Sequence, residues 1–225
     1  PQSRDLARDF RVVAFDPRSQ GESEKPAEGH YPERRAEDIK ELVEHLGIAP
    51  AVLVGWSLGV PELLTYVDRF GTGSIRALVL VDGWIGGDPD PAREAAYRKM
   101  LKQAQLDRPA FAGAFVRQMY KKAQPEEYLR EVTAESLKTP TNTAVCLLMN
   151  IQGSDWRPVL AKIDKPLLYA VTPWQKPQAE MLKARLPAAR VEVFEDGGHA
   201  LFADEPERFN QVLRDFLRAG VAAPL

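Results

Sequence analysis

Apolar residues in this chain fall into two patterns, and the alternation between them predicts its architecture. Four short runs are almost unbroken: Arg11-Val12-Val13-Ala14-Phe15, Ala51-Val52-Leu53-Val54-Gly55, Ala77-Leu78-Val79-Leu80-Val81 and Leu167-Leu168-Tyr169-Ala170-Val171. A strand covered on both faces reads this way, because neither side-chain direction meets water. Val191-Glu192-Val193-Phe194 alternates and carries an acid, which predicts one more strand, at a sheet edge. Between the runs the spacing turns helical. Ile39, Leu42, Val43 and Leu46 predict a helix over about residues 33–46. Val60, Leu63, Leu64 and Val67 repeat the stripe straight after the second run, and Phe209, Val212, Leu213, Phe216 and Leu217 do so near the end. Asp204 stands where the last helix needs an N-cap, with Pro206 in its first turn and Glu207 three residues on. Strand-then-helix units in series specify an α/β fold with a doubly wound, mostly parallel sheet.

The rhythm breaks between Trp84 and Lys165, a stretch too long for a simple crossover. It predicts helices near residues 92–105, 109–122, 126–137 and 141–150. Phe111, Phe115 and Met119 lie four apart, either as packing or as part of a pocket wall. The expected organisation is a core of residues 1–83 and 161–225, with a helical cap of residues 84–160 inserted over the sheet's C-terminal edge.

Composition narrows the function classes. With 225 residues, 44% hydrophobic and 28% charged, the chain has the makeup of one folded domain with an insertion. Thirty basic residues against 32 acidic ones give a net charge of −2 with signs interspersed, which argues against nucleic acid as a partner. No apolar run approaches the roughly 18 residues of a membrane span, so no membrane partner is expected. The chain opens Pro1-Gln2-Ser3-Arg4 with neither an initiator Met nor a basic-then-apolar leader. Nothing in it marks secretion, so a cytoplasmic protein is expected, and the missing Met reads either as a leading segment removed or as a piece of something longer. The one cysteine, Cys146, excludes an internal disulfide and reads as a buried small hydrophobe. No metal or organic cofactor is called for.

The second run ends in Gly55-Trp56-Ser57-Leu58-Gly59 and passes directly into a helical stripe. G-x-S-x-G between strand and helix is the setting of a nucleophile elbow, which lifts the serine hydroxyl off the sheet edge. Glycines two positions either side are expected to remove Cβ atoms that would clash in so tight a turn. Ser57 is the candidate nucleophile, and a serine needs a base within hydrogen-bond reach. Of three histidines, His30 lies in a turn-like loop expected at the surface, and His45 sits on the polar side of its helix. His199 follows the last strand in Asp196-Gly197-Gly198-His199-Ala200-Leu201-Phe202, at the edge where ligands gather. It is the candidate base.

The order of these motifs, from Asp16-Pro17-Arg18-Ser19-Gln20-Gly21-Glu22-Ser23 through G-W-S-L-G to G-G-H-A-L-F, resembles the α/β-hydrolase superfamily over nearly the whole chain. It is nearest to small carboxylesterases and cofactor-free haloperoxidase-like members. The resemblance implies a serine hydrolase acting on small, fairly hydrophobic esters, with Ser57 attacking and His199 as general base. The backbone N–H of Leu58 would be one oxyanion donor. The second usually lies on a loop after an earlier strand, and none precedes Arg11 in this sequence; were such a segment absent from the protein, one donor would be lost and the raw sheet edge would invite a homodimer. The family commonly carries its triad acid just after the strand at 167–171, where Thr172-Pro173-Trp174-Gln175 offers no carboxylate. The other place is the end of the preceding strand, where Asp82 stands; Glu180 is the reserve. Asp16 and Ser23 read as loop residues bonding their own backbone. Trp56 and Trp84 are pocket candidates, with simple packing the alternative for Trp56. Rival readings are a lactonase or perhydrolase of the same superfamily, and a binding protein that kept the elbow without catalysis.

Overall fold

Ala51–Trp56 (β1), Ile75–Val81 (β2), Leu167–Val171 (β3) and Arg190–Val193 (β4) pair in that spatial order, each parallel to its neighbour. They belong to a computed structural model that describes residues 2–151 and 153–221; Pro1, Gln152 and residues 222–225 lie outside it. Helices precede and separate the strands: Gln2–Leu6 (α1), Pro32–His45 (α2), Gly59–Phe70 (α3), Pro91–Leu106 (α4), Arg108–Gln118 (α5), Glu126–Leu137 (α6), Thr141–Met149 (α7), Lys176–Arg185 (α8), Leu201–Asp204 (α9) and Pro206–Val221 (α10).

The unbroken apolar runs have the cause the sequence suggests. On β2, Leu78 and Leu80 enter one core with Leu53, Leu167, Tyr169 and Val171, beneath Ile39 and Val43 of α2 and Val60 and Leu64 of α3. Ala77, Val79 and Val81 enter a second core with Leu168 and Ala170, closed by Phe209, Val212, Leu213 and Phe216 of α10. Each aliphatic residue fully buried this way contributes about 1.5–3 kcal/mol of transfer free energy. Strand β4 takes the edge, its four residues half-buried.

One predicted strand does not form. Arg11–Phe15 joins no ladder among the described residues, and Val12, Val13 and Phe15 are 38%, 41% and 44% exposed. Apolar composition favours a pleated, half-buried surface, but a strand also needs a partner's hydrogen bonds. Among the described residues β1 pairs only with β2, and its Val54 is 54% exposed.

Helices α4 to α7 all lie between β2 and β3, within a few residues of their predicted bounds. Asp90 caps α4 by accepting from the N–H groups of Ala92 and Arg93, and Asp107 caps α5 through Ala110. The Phe111–Phe115–Met119 stripe divides. Phe111 stacks on Phe115 with centroids 5.9 Å apart and packs against a small core of Leu101, Ala104 and Val145. Met119 instead joins Val116, Leu129 and Ala200. Cys146 is exposed rather than buried, because α7 turns Thr143, Val145 and Leu147 inward. Among the described residues no helix is long and apolar enough to cross a membrane.

Candidate functional site

Strand register brings the chemistry together. Trp56 pairs with Val81 and Val81 with Ala170, so β1, β2 and β3 finish almost level. The ladder runs one step further, with the Ser57 N–H donating to Val81 O at 3.0 Å and the Asp82 N–H to Ala170 O at 2.9 Å. Ser57, Asp82 and Thr172 therefore leave adjacent strands side by side at the C-terminal edge.

The elbow is held in a sparsely populated conformation, Ser57 standing at φ +53°. Such a residue costs about 1–3 kcal/mol and persists only where its surroundings enforce it. A Cβ on Gly55 would fall 2.5 Å from the Gly59 carbonyl oxygen, which explains that glycine. The expected crowding is one-sided, since a Cβ on Gly59 would meet nothing within 4 Å. Asp82 is also left-handed, at φ +43°. A Cβ on the next residue, Gly83, would lie 2.4 Å from Val60 Cγ2 and 2.6 Å from the Ser57 carbonyl oxygen. The Asp82-Gly83 turn is thus pressed directly behind the elbow.

His199 bridges the two. Its Nε2 lies 2.9 Å from Ser57 Oγ and its Nδ1 2.8 Å from Asp82 Oδ2. The Asp82 side chain is 0% exposed. Its second oxygen, Oδ1, accepts from the Thr172 N–H at 2.8 Å and the Thr172 Oγ1–H at 2.7 Å. A carboxylate can only accept here, so the imidazole proton sits on Nδ1 and Nε2 is left free to accept from the serine. Tyr169 donates to the Gly83 carbonyl at 2.7 Å. Burial and the nearby Asp82 push its phenol well above the ordinary range, so it stays a neutral donor.

The histidine loop is fixed through its backbone. Trp56 Nε1–H donates to the His199 carbonyl at 2.8 Å, and the indole centroid lies 5.1 Å from the imidazole. The Ala200 N–H donates to Met119 O at 2.8 Å, and the Gly198 N–H to Asp204 Oδ2 at 2.7 Å. Asp204 also accepts from the N–H groups of Lys121 at 2.8 Å and Lys122 at 3.1 Å. A Cβ on Gly198 would come 2.6 Å from Lys121 N and 2.7 Å from Met119 O. That glycine admits the backbone beyond α5. Asp204 is accordingly not the N-cap of α10; it ties the histidine loop to the segment between α5 and α6.

Each remaining candidate has a definite place in the fold. Leu58 is the N-cap of α3, where the leading N–H groups of a helix lack intrahelical acceptors. Trp84 lies under the Arg93 guanidinium, 4.6 Å from its ring centroid, and donates to Ser154 O at 3.4 Å. Glu180 is exposed on α8, and His45 is exposed on α2. His30 is buried, not at the surface, and its Nε2 lies 2.9 Å from the buried Ser19 hydroxyl. Burial and the charges of Arg18 and Arg35 push that imidazole down, toward its neutral form. In the same loop Asp16 accepts from the Glu22 N–H, and Ser23 Oγ–H donates to the Asp16 carbonyl, as read from the sequence. Among the described residues no three His, Cys, Asp or Glu side chains are grouped to hold a metal ion. Thr172 and Asp204 bond within this cluster without a sequence signal for it: the first offers no charge, and the second sits where a helix cap is an adequate account.

Comparison with known proteins bears on the family and the fold. A family model described as Alpha/beta hydrolase family matches residues 2–212. An esterase structure from Exiguobacterium antarcticum superposes with a TM-score of 0.88 at 24% identity, over 96% of this chain and 85% of that one. A bromoperoxidase structure from Bacillus anthracis gives 0.89 at 22% identity over the same shares. At these identities the likeness is one of fold. Over 76 residues, 34% of this chain and 28% of the relative, the chain is 40% identical to a bifunctional esterase/perhydrolase of Acinetobacter calcoaceticus.

Proposed function

Because this chain belongs to the alpha/beta hydrolase family, we propose that it cleaves small, fairly hydrophobic carboxylic esters through an acyl-enzyme on Ser57. The observation that carries the proposal is the unbroken relay from Ser57 Oγ through both nitrogens of His199 to Asp82, with spacings of 2.9 and 2.8 Å. In this reading His199 Nε2 takes the serine proton as Oγ attacks the ester carbonyl. Buried Asp82 stabilises the imidazolium that results. The Leu58 N–H, at the positive end of α3, receives the oxyanion, a contribution worth about 10²–10³ in rate for one such donor. His199 then protonates the departing alcohol, and water, activated by the same nitrogen, releases the acid.

Helices α4 to α7 act as the cap over this edge. Val116 of α5, Met119 just beyond it and Leu129 of α6 pack against Ala200, the residue after His199, with Trp56 and Phe202 at the margin; these apolar surroundings support an apolar rather than a charged acyl group. Trp56 serves this reading chiefly by holding His199 through its indole N–H. Peroxide can replace water at the deacylation step, and the segment 40% identical to an esterase/perhydrolase favours testing that second outcome.

A fluorophosphonate probe tests the core of the proposal. Labelling of the wild type that vanishes in Ser57→Ala is expected, followed by turnover of p-nitrophenyl esters that prefers short acyl chains. An unlabelled, well-folded wild type would overturn it in favour of a non-catalytic binding protein. Added hydrogen peroxide during turnover separates hydrolysis from perhydrolysis.

A further inference from the structure

Asp82 leaves the end of β2, yet the polar groups that hold its carboxylate come from the end of the adjacent strand, β3. Within that carboxylate the labour is divided. Oδ2 faces His199 Nδ1, and Oδ1 is bound twice by one residue, through the Thr172 N–H at 2.8 Å and the Thr172 hydroxyl at 2.7 Å. Both groups are shut off from solvent: the Asp82 side chain is 0% exposed and Thr172 is 4% exposed. No water can replace a donor lost here, and a buried anionic oxygen keeps its place only while its hydrogen bonds are met.

We propose that Thr172 is a positioning residue for the reaction: its side-chain hydroxyl and backbone N–H fix the rotation of the Asp82 carboxylate, and through it the tautomer and aim of His199. This rests on the serine-hydrolase reading above and extends it by one residue. The argument from geometry is specific to the hydroxyl. The backbone N–H alone leaves Oδ1 free to slide around a single contact. Adding the hydroxyl gives two converging donors and one resting angle for the carboxylate plane. Asp82 also needs this outside restraint, because its own backbone sits at φ +43°, a conformation that the local chain does not favour. The Thr172 N–H and hydroxyl both bond Asp82 rather than Ser57 or His199, so its influence runs through Asp82.

The test uses Thr172→Val, which keeps the β-branched shape and the backbone N–H but deletes the hydroxyl, and Thr172→Ser, which restores it. On enzyme titrated for active sites with the fluorophosphonate probe, Thr172→Val is expected to lower kcat for a p-nitrophenyl ester about 10- to 100-fold, with KM nearly unchanged. Thr172→Ser is expected to recover to within about threefold of wild type. In an Asp82→Asn background, Thr172→Val should cause no further loss, because both changes act through one carboxylate. Thr172→Val with wild-type kcat would overturn the proposal while leaving Ser57 labelling intact. So would a Thr172→Ser variant as slow as the valine one, or a full additional loss in the Asp82→Asn background. Failure of the wild type to label would instead strike the serine-hydrolase reading itself.

Discussion

Replacing Asp82 by Asn is the sharpest perturbation the geometry offers, because the structure dictates how the new amide must turn. Two donors from Thr172 point at Oδ1, so the oxygen of the substituted amide is held there and its NH2 group falls at the Oδ2 position. That position lies 2.8 Å from His199 Nδ1. An NH2 group can only donate, which forces Nδ1 to become the acceptor and moves the imidazole proton to Nε2. Nε2, 2.9 Å from Ser57 Oγ, then presents a hydrogen to the serine instead of a lone pair. The base is lost although the relay keeps its shape. A wrong-tautomer change of this kind costs on the order of 10⁴ in kcat in a serine protease, and a loss of about 10³–10⁴ is expected here. The assay is single-turnover release of p-nitrophenol, with thermal melting run in parallel to show that the fold survives. A folded Asp82→Asn enzyme within about tenfold of wild-type kcat would refute the reasoning, since it would mean that His199 does not depend on this carboxylate.

Two further outcomes follow from packing and burial. Gly198→Ala places a Cβ 2.6 Å from Lys121 N and 2.7 Å from Met119 O, both backbone atoms that cannot swing aside. Destabilisation of about 1–3 kcal/mol is expected, with a loss of kcat as His199 is displaced; a wild-type melting temperature and rate would contradict the tight seating of the histidine loop. Glu62, on α3, is buried and paired with Arg35 at 2.7 Å, yet burial outweighs the partner and pushes its carboxyl up to about 7 from an ordinary 4.5. The native state then keeps a proton that the unfolded chain releases between those values. Stability should fall as pH rises through that window and level off above it. Glu62→Gln should flatten the slope, and melts recorded from about pH 5 to 8 that run parallel for the two proteins would rule this out.

How far the site was legible in the sequence depends on how local its causes are. The elbow could be read from Gly55 to Gly59 alone, because the strain at Ser57 and the clash beside Gly55 arise within five residues. The doubly covered strands were legible for a similar reason, since burial on both faces leaves its mark residue by residue in β2 and β3. His199 could be separated from His30 and His45 by its place after the last strand. The run at 11–15 was misread because its apolar pattern is a property of the segment, whereas a strand is a property of a pair.

What the tertiary structure decided is everything that required two distant segments to meet. Which acid meets His199 turned on register: β2 and β3 finish level, which sets Asp82 beside Thr172 and leaves Glu180 out on the surface of α8. Asp204 has the spacing of a helix cap, and only the approach of the segment beyond α5 turned its carboxylate toward Lys121, Lys122 and Gly198. Spacing along a chain records the demands of a single turn or strand. Hydrogen bonds between separate elements depend on how those elements pack, and a linear pattern carries no trace of that until the fold has formed.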